Sequence, residues 1–330
     1  MITAVVSVYN VGQYLPKCVD SLLGQTCQDF EIIIVDDGST DGSDKVCDEQ
    51  AKRSDKISVF HKPNGGLSSA RNFGIGKARG EWIIFPDPDD WVAPDYLQGL
   101  IDIREKHHAD LSVCGHYCYG RGRSEMWNPS ARETVMDQEE ALVYLMKPGS
   151  FCGYAWNKLY SMQVIREHGL LFDEELLMVQ DLHFAYRYFQ YCRKIAYDPR
   201  PLYYYNRDTG GVTASRSPLT KRKLNGLQTY VKIADLAHEP HPAIEKMAYS
   251  TISDTCLDYI FLYYRSRMNA PETLEMLKNT FVQYSAYFYA SKEYNERRKI
   301  IARLIPAHPR LYYSIVLCKR MIFRFSQTKV

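Results

Sequence analysis

Aspartates gather at two points of the sequence, each directly after a short apolar run. The first group is Asp36 and Asp37, and the second is Asp87, Asp89 and Asp90. Carboxylates that converge repel one another unless a cation joins them, and Mg²⁺ and Mn²⁺ favour carboxylate oxygens together with substrate phosphates. The two groups therefore predict a divalent-metal site that also holds a diphosphate. Asp37 comes too early in the sequence, directly after the second strand, to be an obvious metal ligand. Its oxygens would instead accept N–H groups of a nucleobase.

A glycine-containing segment, Asn64–Asn72, lies between the two acidic groups. Gly65 and Gly66 permit a close backbone approach, and Ser68 is predicted to cap the helix that follows. Arg71 would then point from the first helical turn toward a phosphate or an acidic side chain. The sequence has no Walker A loop and no G-x-G-x-x-G segment after its first strand. P-loop hydrolysis and hydride transfer to a dinucleotide are therefore disfavoured.

The elements that must position these residues alternate along the first part of the chain. Strands are predicted at Ala4–Val8, Ile32–Val35, Ile57–Phe60, Trp82–Phe85 and Leu111–Cys114. Helices are predicted between them at Tyr14–Gln25, Asp41–Arg53, Ser68–Ala78 and Pro94–His107. Such alternation is typical of an α/β fold with a mainly parallel sheet, whose ligands lie at the carboxyl ends of the strands. Both acidic groups follow strand ends, so we expect the fold to bring them to one edge.

The pattern is less regular in the rest of the chain. A loop is predicted over 118–135, and short strands are predicted at Ile195–Tyr197 and Leu202–Tyr205. Helices are predicted at Glu139–Met146, Ala155–His168 and Asp181–Gln190. Thr209–Gly211 is predicted to form a turn, and the chain is predicted to be helical from Leu219 onward. We therefore expect a domain boundary near 215–220.

Composition narrows the class of protein. Of the 330 residues, 45% are hydrophobic and 24% are charged, which is typical of a globular protein. A formal net charge of +2 provides no overall field for a nucleic-acid partner. Nine cysteines without a C-x-x-C pair favour reduced thiols in a cytoplasmic protein. The N-terminal segment lacks the features of a signal peptide, and the apolar runs are far shorter than the ~20 residues of a membrane span.

Four motifs stand in a fixed order in the first part of the chain. They are Val6–Asn10, Ile34–Asp41, Asn64–Asn72 and Phe85–Trp91, with fainter ones at Trp156–Tyr160, Val179–Phe184 and Leu202–Tyr205. Together they resemble the motifs of a family 2 glycosyltransferase with the GT-A fold, of the type that builds bacterial surface polysaccharides. The resemblance implies a GT-A domain over 1–215, with a nucleotide-sugar-binding half (1–115) and an acceptor-side extension (116–215). A helical region (216–330) would follow.

The resemblance implies a role for each motif residue on the donor side, where the donor would be a UDP-sugar. Ser7 and Asn10 would lie by the nucleotide. Asp37, with Asp36 beside it, would hold the uracil ring. Arg71 would help to shape the nucleotide site.

The resemblance also implies which acids do the chemistry. Asp89 would reach Mn²⁺ or Mg²⁺ on the diphosphate, and Asp87 would reach the ribose or the water shell of the metal. Asp90 would support them or contact the sugar. Asp181 would be the catalytic base that takes a proton from a hydroxyl of a glycan or lipid-linked glycan acceptor, in a reaction that inverts the anomeric centre.

Two positions depart from the family pattern, and several others have more than one interpretation. Gln180 replaces a glutamate, and Pro88 replaces a small polar residue and removes one N–H. His183 is either a third metal ligand or a structural histidine. The motif Trp156–Lys158 either lines the acceptor site or packs in the core around a buried Asn157.

Two other functions would fit the same fold class. The first is a sugar-nucleotide or glycan-binding protein that has lost turnover. The second is a nucleotidyltransferase, which normally has a Gly-rich N-terminal loop. Here the segment Ser7–Gly12 after the first strand contains a single glycine, which disfavours that function.

Basic residues concentrate at the end of the sequence. Residues 297–330 contain nine Lys or Arg and no Asp or Glu, which leaves 32 basic and 39 acidic residues in 1–296. Apolar residues at helical spacing among these charges are typical of a helix on an anionic membrane surface. The alternative is an ordinary helix packed on the catalytic domain. The first interpretation would place the protein peripherally on the inner face of the cytoplasmic membrane.

Overall fold

The computed structural model describes residues 1–120, 122–127, 130–147, 149–209 and 218–327, with side chains as far as Lys319. Its contacts divide the chain into two compact units, Met1–Ala214 and Ser215–Val330. The predicted turn at Thr209–Gly211 and the boundary expected near 215–220 fall partly outside the described residues.

The first unit is built on a sheet whose first four strands are parallel. These strands are β1 (Ile2–Val8), β2 (Phe30–Asp36), β3 (Ile57–His61) and β4 (Trp82–Ile84). The helices are α1 (Leu15–Leu23), α2 (Ser43–Ala51), α3 (Leu67–Lys77) and α4 (Tyr96–His107). Every residue of β1 and β2 is buried, as the continuous apolar run Ile32–Val35 predicts for a strand covered on both faces. The predicted α/β fold is confirmed.

Strands from later in the sequence extend the sheet. They are β5 (Trp91–Val92), β6 (Leu111–Gly120), β7 (Arg123–Trp127), β8 (Thr134–Met136), β9 (Lys158–Ser161) and β10 (Ile195–Asn206). The spatial order is β3-β2-β1-β4-β9-β6-β10-β5, with β7 beside β6 and β8 beside β10. β6 and β10 are parallel, whereas β9 is antiparallel to both β4 and β6. Because β1, β2 and β4 are parallel neighbours, their carboxyl ends share one edge of the sheet.

The prediction of a loop over 118–135 is wrong. This segment contains the end of β6 together with β7 and β8. All five residues of β7 are exposed, so the strand lacks the alternation of apolar and polar residues that marks a strand in sequence. It forms because β6 pairs with it in antiparallel register from His116 to Gly120.

The prediction of a helix over 155–168 is also wrong for the first half of that segment. Lys158–Ser161 forms β9, and only Met162–Glu167 is helical, as α6. The apolar residues of this segment fit a helical period, but pairing with both β4 and β6 overrides that local pattern.

The two short strands predicted near residue 200 form a single strand, β10. Its pairing with β6 shifts register at Asp198 and Pro201, and proline has no N–H to donate to a ladder. Helices α5 (Gln138–Met146) and α7 (Gln180–Phe189) lie within two residues of the predicted bounds. Asp137 starts α5 with a capping box to Glu140.

The second unit is helical over its described residues. Its helices are α8 (Lys221–Ala237), α9 (Pro242–Arg265), α10 (Pro271–Ala290), α11 (Glu296–Ala302) and α12 (Pro309–Gln327). Three of them begin with proline, whose fixed φ suits the first helical position. Within the described part of the chain, we find no helix that is both long and apolar enough to cross a bilayer.

Candidate active site

A single buried arginine joins the second acidic group to α7. Arg71 lies on α3, and only 2% of its side chain is exposed. One of its terminal nitrogens donates to Asp87 Oδ1 at 2.9 Å, and the other donates to Asp181 Oδ1 at 2.5 Å. Burial alone would lower the pKa of Arg71, but the two carboxylates outweigh it and raise that pKa. Arg71 is therefore a fixed positive charge at the strand ends and not a surface charge of its helix.

Asp87 and Asp89, in the turn after β4, are partly withdrawn from water. Burial raises the pKa of Asp87 to about 7, and the charges of Asp181 and Asp89 add to this effect while Arg71 opposes it. Burial also raises the pKa of Asp89. A cation beside these carboxylates would favour their ionised forms.

Asp90 is buried and supports this turn from behind. Its Oδ2 accepts the Tyr203 hydroxyl at 2.8 Å, and its Oδ1 accepts the Asn206 N–H at 2.7 Å. The Tyr203 hydroxyl accepts the N–H of Asp87 at 3.0 Å. Asn206 Nδ2 donates to the carbonyl of Asp89 at 3.1 Å. Of the two roles expected for Asp90, this geometry favours support of its neighbours.

Asp181 stands in the first turn of α7, with 19% of its side chain exposed. Besides the Arg71 contact, its Oδ2 accepts the N–H of Ala155 at 3.2 Å. The residue before the helix, Val179, has a φ of 62°, which is rare for a β-branched residue. The start of α7 is therefore held in a strained conformation that aims Asp181 at the sheet edge.

The loop that provides Ala155 is held by two fully buried polar side chains. Lys158 Nζ donates to the carbonyls of Cys152 and Tyr154, at 2.8 and 2.6 Å, and to Asn157 Oδ1 at 2.8 Å. Burial lowers the pKa of Lys158 to about 7. Asn157 donates to two further backbone carbonyls. For these two residues the structure favours core packing over lining of an acceptor site.

Asp37 binds the glycine segment. Its carboxylate accepts Lys62 Nζ at 2.6 Å, the Gly65 N–H at 3.0 Å and the Gly66 N–H at 2.7 Å. Gly66 has a φ of +88°, a conformation that glycine adopts readily and that other residues rarely adopt. These contacts use three of the roughly four acceptor positions of a carboxylate. Asp37 therefore orders the turn ahead of α3 and retains one acceptor position.

Asp36 is buried and pairs with a histidine. Its Oδ2 lies 3.0 Å from His61 Nδ1, its Oδ1 accepts the Ser39 N–H at 3.1 Å, and His61 Nε2 lies 3.1 Å from Asp48. Burial alone would raise the pKa of Asp36, but the bonds from His61 and Ser39 bring it below its usual value. The bond to Asp36 in turn raises the pKa of His61, against a smaller opposing effect of burial.

The end of β1 lies beside the turn after β2. Asn10, with a φ of 54°, accepts the Thr40 N–H at 2.8 Å and donates its own N–H to Ser39 Oγ at 3.1 Å. Ser7 is buried, and its Oγ has no hydrogen-bond partner among the described residues. An unpartnered buried hydroxyl is an available contact for a ligand.

Ser68 and His183 lie on the two helices that carry Arg71 and Asp181. The prediction that Ser68 caps α3 is wrong, because the helix starts at Leu67 after Gly66 and places Ser68 inside its first turn. His183 is buried on α7, two residues after Asp181. Within the described ranges, no group of three or more His, Cys, Asp or Glu side chains could hold a metal ion.

Sequence reasoning missed the contacts that hold the acids in place. The sequence places Tyr203 only in a predicted short strand, yet its hydroxyl accepts the Asp87 N–H and donates to Asp90. His61 is the last residue of β3 and Lys62 follows it, and the sequence analysis names neither as a partner of the first acidic group. Their place at the carboxyl end of a parallel strand is the signal that would have found them.

The donor set fits a hard divalent cation. Asp87 and Asp89 offer carboxylate oxygens at a partly buried turn, and Mg²⁺ or Mn²⁺ is commonly bound by one or two carboxylates together with substrate phosphates.

Known proteins resemble this chain in sequence and in fold. Residues 3–169 match the family described as Glycosyl transferase family 2. The Bacillus subtilis (strain 168) protein EpsH is 36% identical over 207 residues, which are 62% of this chain and 60% of EpsH. Glycosyltransferase GlyG of Streptococcus pneumoniae serotype 4 is 30% identical over 233 residues, which are 67% of this chain and 75% of GlyG.

The fold is similar to that of a solved structure. The crystal structure of residues 1–349 of S. aureus TarS in complex with UDP-GlcNAc has a TM-score of 0.67, with 17% identity over 94% of this chain and 89% of that one. The chain spans about three fifths of the length of EpsH.

Proposed function

The chain belongs to glycosyl transferase family 2, and from that premise we propose that it transfers a sugar from a UDP-sugar to a hydroxyl of a glycan or lipid-linked glycan. The setting that we propose is the synthesis of a bacterial surface polysaccharide. The UDP-GlcNAc complex of the TarS fragment supports the choice of a UDP-linked donor.

The observation that carries the proposal is the shared guanidinium of Arg71. It binds Asp87, which belongs to the turn proposed to hold the donor, and Asp181, which is proposed as the base. For transfer, the group that holds the donor and the base that activates the acceptor hydroxyl must lie at a fixed separation. One buried cation that contacts both provides that separation.

Asp89 and Asp87 are the residues that would hold Mg²⁺ or Mn²⁺. When bound, such an ion neutralises charge on the diphosphate of the leaving nucleotide. Arg71 contributes a second positive charge close to the same turn, and its buried bonds to Asp87 and Asp181 prevent it from moving away.

Asp181 would accept the proton of the attacking hydroxyl. The acceptor oxygen forms a bond to the anomeric carbon as the bond from that carbon to the UDP oxygen breaks, and the proton passes to the carboxylate. A single displacement inverts the anomeric configuration. The Ala155 N–H and Arg71 orient the two carboxylate oxygens for this step.

The test is the variant Asp181→Asn, assayed for UDP release from a panel of UDP-sugars and for UDP binding by calorimetry. We expect turnover to fall by at least about 100-fold, as for loss of a general base, with UDP affinity within about twofold of wild type. Asp44→Asn is the matched control, since Asp44 also stands in the first turn of a helix. Wild-type turnover by Asp181→Asn would contradict the assignment of the base.

The two rival functions give different outcomes in the same assay. A sugar-nucleotide-binding protein without turnover would bind UDP but would not cleave any UDP-sugar to release UDP. A nucleotidyltransferase would release pyrophosphate instead of UDP.

The basic end of the chain supports a second proposal, contact with an anionic membrane surface. One side of α12 packs in the second unit, where Tyr313 lies 5.3 Å from Phe261. The other side leaves Leu311 49% exposed and Ile315 36% exposed, one turn apart. We propose that this face, with the exposed basic residues Arg310 and Lys319 of the same helix, rests on the inner leaflet near a lipid-linked acceptor.

Cosedimentation with vesicles of phosphatidylglycerol and phosphatidylcholine tests the membrane contact. We expect binding that weakens with salt and that falls in the variant Leu311→Asn/Ile315→Asn. Leu236→Asn is the control, because Leu236 is 46% exposed on α8. Equal binding by all variants, or none at low salt, would contradict the proposal.

A further inference from the structure

A row of aromatic rings leads from the turn at Asp87–Asp90 toward the surface. Trp156 stacks on Tyr203 with ring centroids 4.2 Å apart and 14° between the planes, and Tyr154 stacks on Trp156 at 4.7 Å and 12°. Tyr205 stands nearly parallel to Trp156 at 5.9 Å. Tyr203 and Trp156 are buried, whereas Tyr154 is 37% exposed. The row thus ends in an accessible ring.

The backbone that carries this accessible ring is fixed beside the proposed base. The carbonyl of Tyr154 accepts Lys158 Nζ at 2.6 Å, and the next peptide N–H donates to Asp181 at 3.2 Å. The preceding residue is Gly153, where an added Cβ would lie 2.6 Å from the Cα of Leu182. Any side chain there would collide with the backbone of α7. The loop is therefore pressed against the helix that carries Asp181.

An exposed aromatic ring on a fixed backbone suits a particular class of ligand. One face of a pyranose ring carries several C–H bonds, and the face of an aromatic ring carries negative charge, so the two pack face to face. A ring that is already held in place loses little entropy on binding. Because the peptide N–H that follows Tyr154 donates to Asp181, a sugar stacked on this ring would lie close to the proposed base.

A second exposed ring, Trp127, is linked to Tyr154 through the ring of His116. His116 packs edge-on to Tyr154 at 5.9 Å and lies 6.3 Å from Trp127. Burial lowers the pKa of His116 to about 3, so this ring is neutral. Trp127 is 39% exposed. Two accessible rings that both pack against one buried histidine suit a ligand longer than one sugar.

We propose that Tyr154, with Tyr205 beside it, is the stacking platform for the acceptor pyranose, and that Trp127 contacts the next sugar of the acceptor. This inference rests on the transferase function proposed above. It assigns to the site an acceptor with at least one exposed pyranose face.

Saturation-transfer NMR with methyl β-D-glucopyranoside, methyl β-D-galactopyranoside and methyl N-acetyl-β-D-glucosaminide tests the platform, with UDP and Mg²⁺ present. We expect at least one glycoside to bind the wild type and to bind Tyr154→Ala about five- to tenfold more weakly. Tyr154→Phe keeps the ring and should bind within about twofold of wild type. Tyr154→Leu keeps bulk without the aromatic face and should bind as weakly as Tyr154→Ala.

The control variant is Tyr191→Ala, because Tyr191 is 44% exposed in the same unit and stacks on His168 instead. UDP affinity, measured by calorimetry on each variant, should be unchanged and also shows that each variant is folded. Binding of no glycoside by the wild type, or equal binding by Tyr154→Ala and wild type, would overturn the platform. If the wild type binds a glycoside but does not bind UDP, the proposed transferase function is overturned instead.

Discussion

Removal of Arg71 should cost more stability than removal of any exposed arginine, because two carboxylates depend on it. The variant Arg71→Met keeps the length of the side chain and its packing beside the ring of Phe172. It leaves Asp87 and Asp181 facing each other without a cation. Breaking a buried ion pair by removing one partner costs about 3–5 kcal/mol.

The exposure of the two carboxylates selects the lower end of that range. Asp87 is 27% exposed and Asp181 is 19% exposed, so water solvates each of them in part once Arg71 is gone. We therefore expect a loss of about 3 kcal/mol. For a unit of this size that loss lowers the melting temperature by roughly 6–12 °C.

The assay is urea unfolding of each variant, with differential scanning calorimetry for the melting temperature. Arg53→Met is the matched control, since the pair of Arg53 with Asp20 is 38% and 59% exposed and should contribute less than about 1 kcal/mol. Asp181→Asn in the Arg71→Met background should recover part of the loss, with a coupling of about 1–2 kcal/mol. A cost for Arg71→Met no larger than that of the control, or a purely additive double variant, would refute the reasoning.

Three further variants test other parts of the site. Tyr203→Phe removes the hydroxyl that Asp90 accepts at 2.8 Å and should cost about 1–3 kcal/mol in urea unfolding, whereas a neutral result would contradict its role in holding the turn. Gly74→Ala places a Cβ in collision with a methyl carbon of Val5 on β1, so the melting temperature should fall, and an unchanged value would contradict this close packing of α3 on β1. His61→Gln tests pH dependence: because the bond to Asp36 raises the pKa of His61 above 6.5, the histidine contributes most stability below that pH and loses it as the pH rises through its folded pKa. The difference in unfolding free energy between wild type and His61→Gln should therefore be larger at about pH 5.5 than at about pH 8.5, and a difference independent of pH would count against the pairing.

Much of the first unit could be predicted from local sequence, because its first strands are short apolar runs that alternate with helices. The acidic groups could be predicted for the same reason, since each follows such a run directly. The run Ile32–Val35 is buried on both faces and leads straight into Asp36.

The contacts that shape the site join residues far apart in sequence and could not be predicted in this way. Arg71 and Asp181 are 110 residues apart, and Tyr203 and Asp90 are 113 apart. No periodicity within one segment carries that information. β9 was missed for the same reason, because Lys158–Ser161 is a strand only through its neighbours β4 and β6.

The acidic turn after β4 is proposed to bind a nucleotide diphosphate together with a divalent ion. Calorimetric titration of UDP in Mn²⁺, in Mg²⁺ and in EDTA, on wild type and on Asp89→Ala, tests it most directly, with Asp102→Ala on α4 as an exposed control. We predict UDP binding by wild type and by the control that requires the metal and is lost in Asp89→Ala. Failure of wild type to bind UDP in any of these buffers, or binding that is unaffected by EDTA and by Asp89→Ala, would contradict the account.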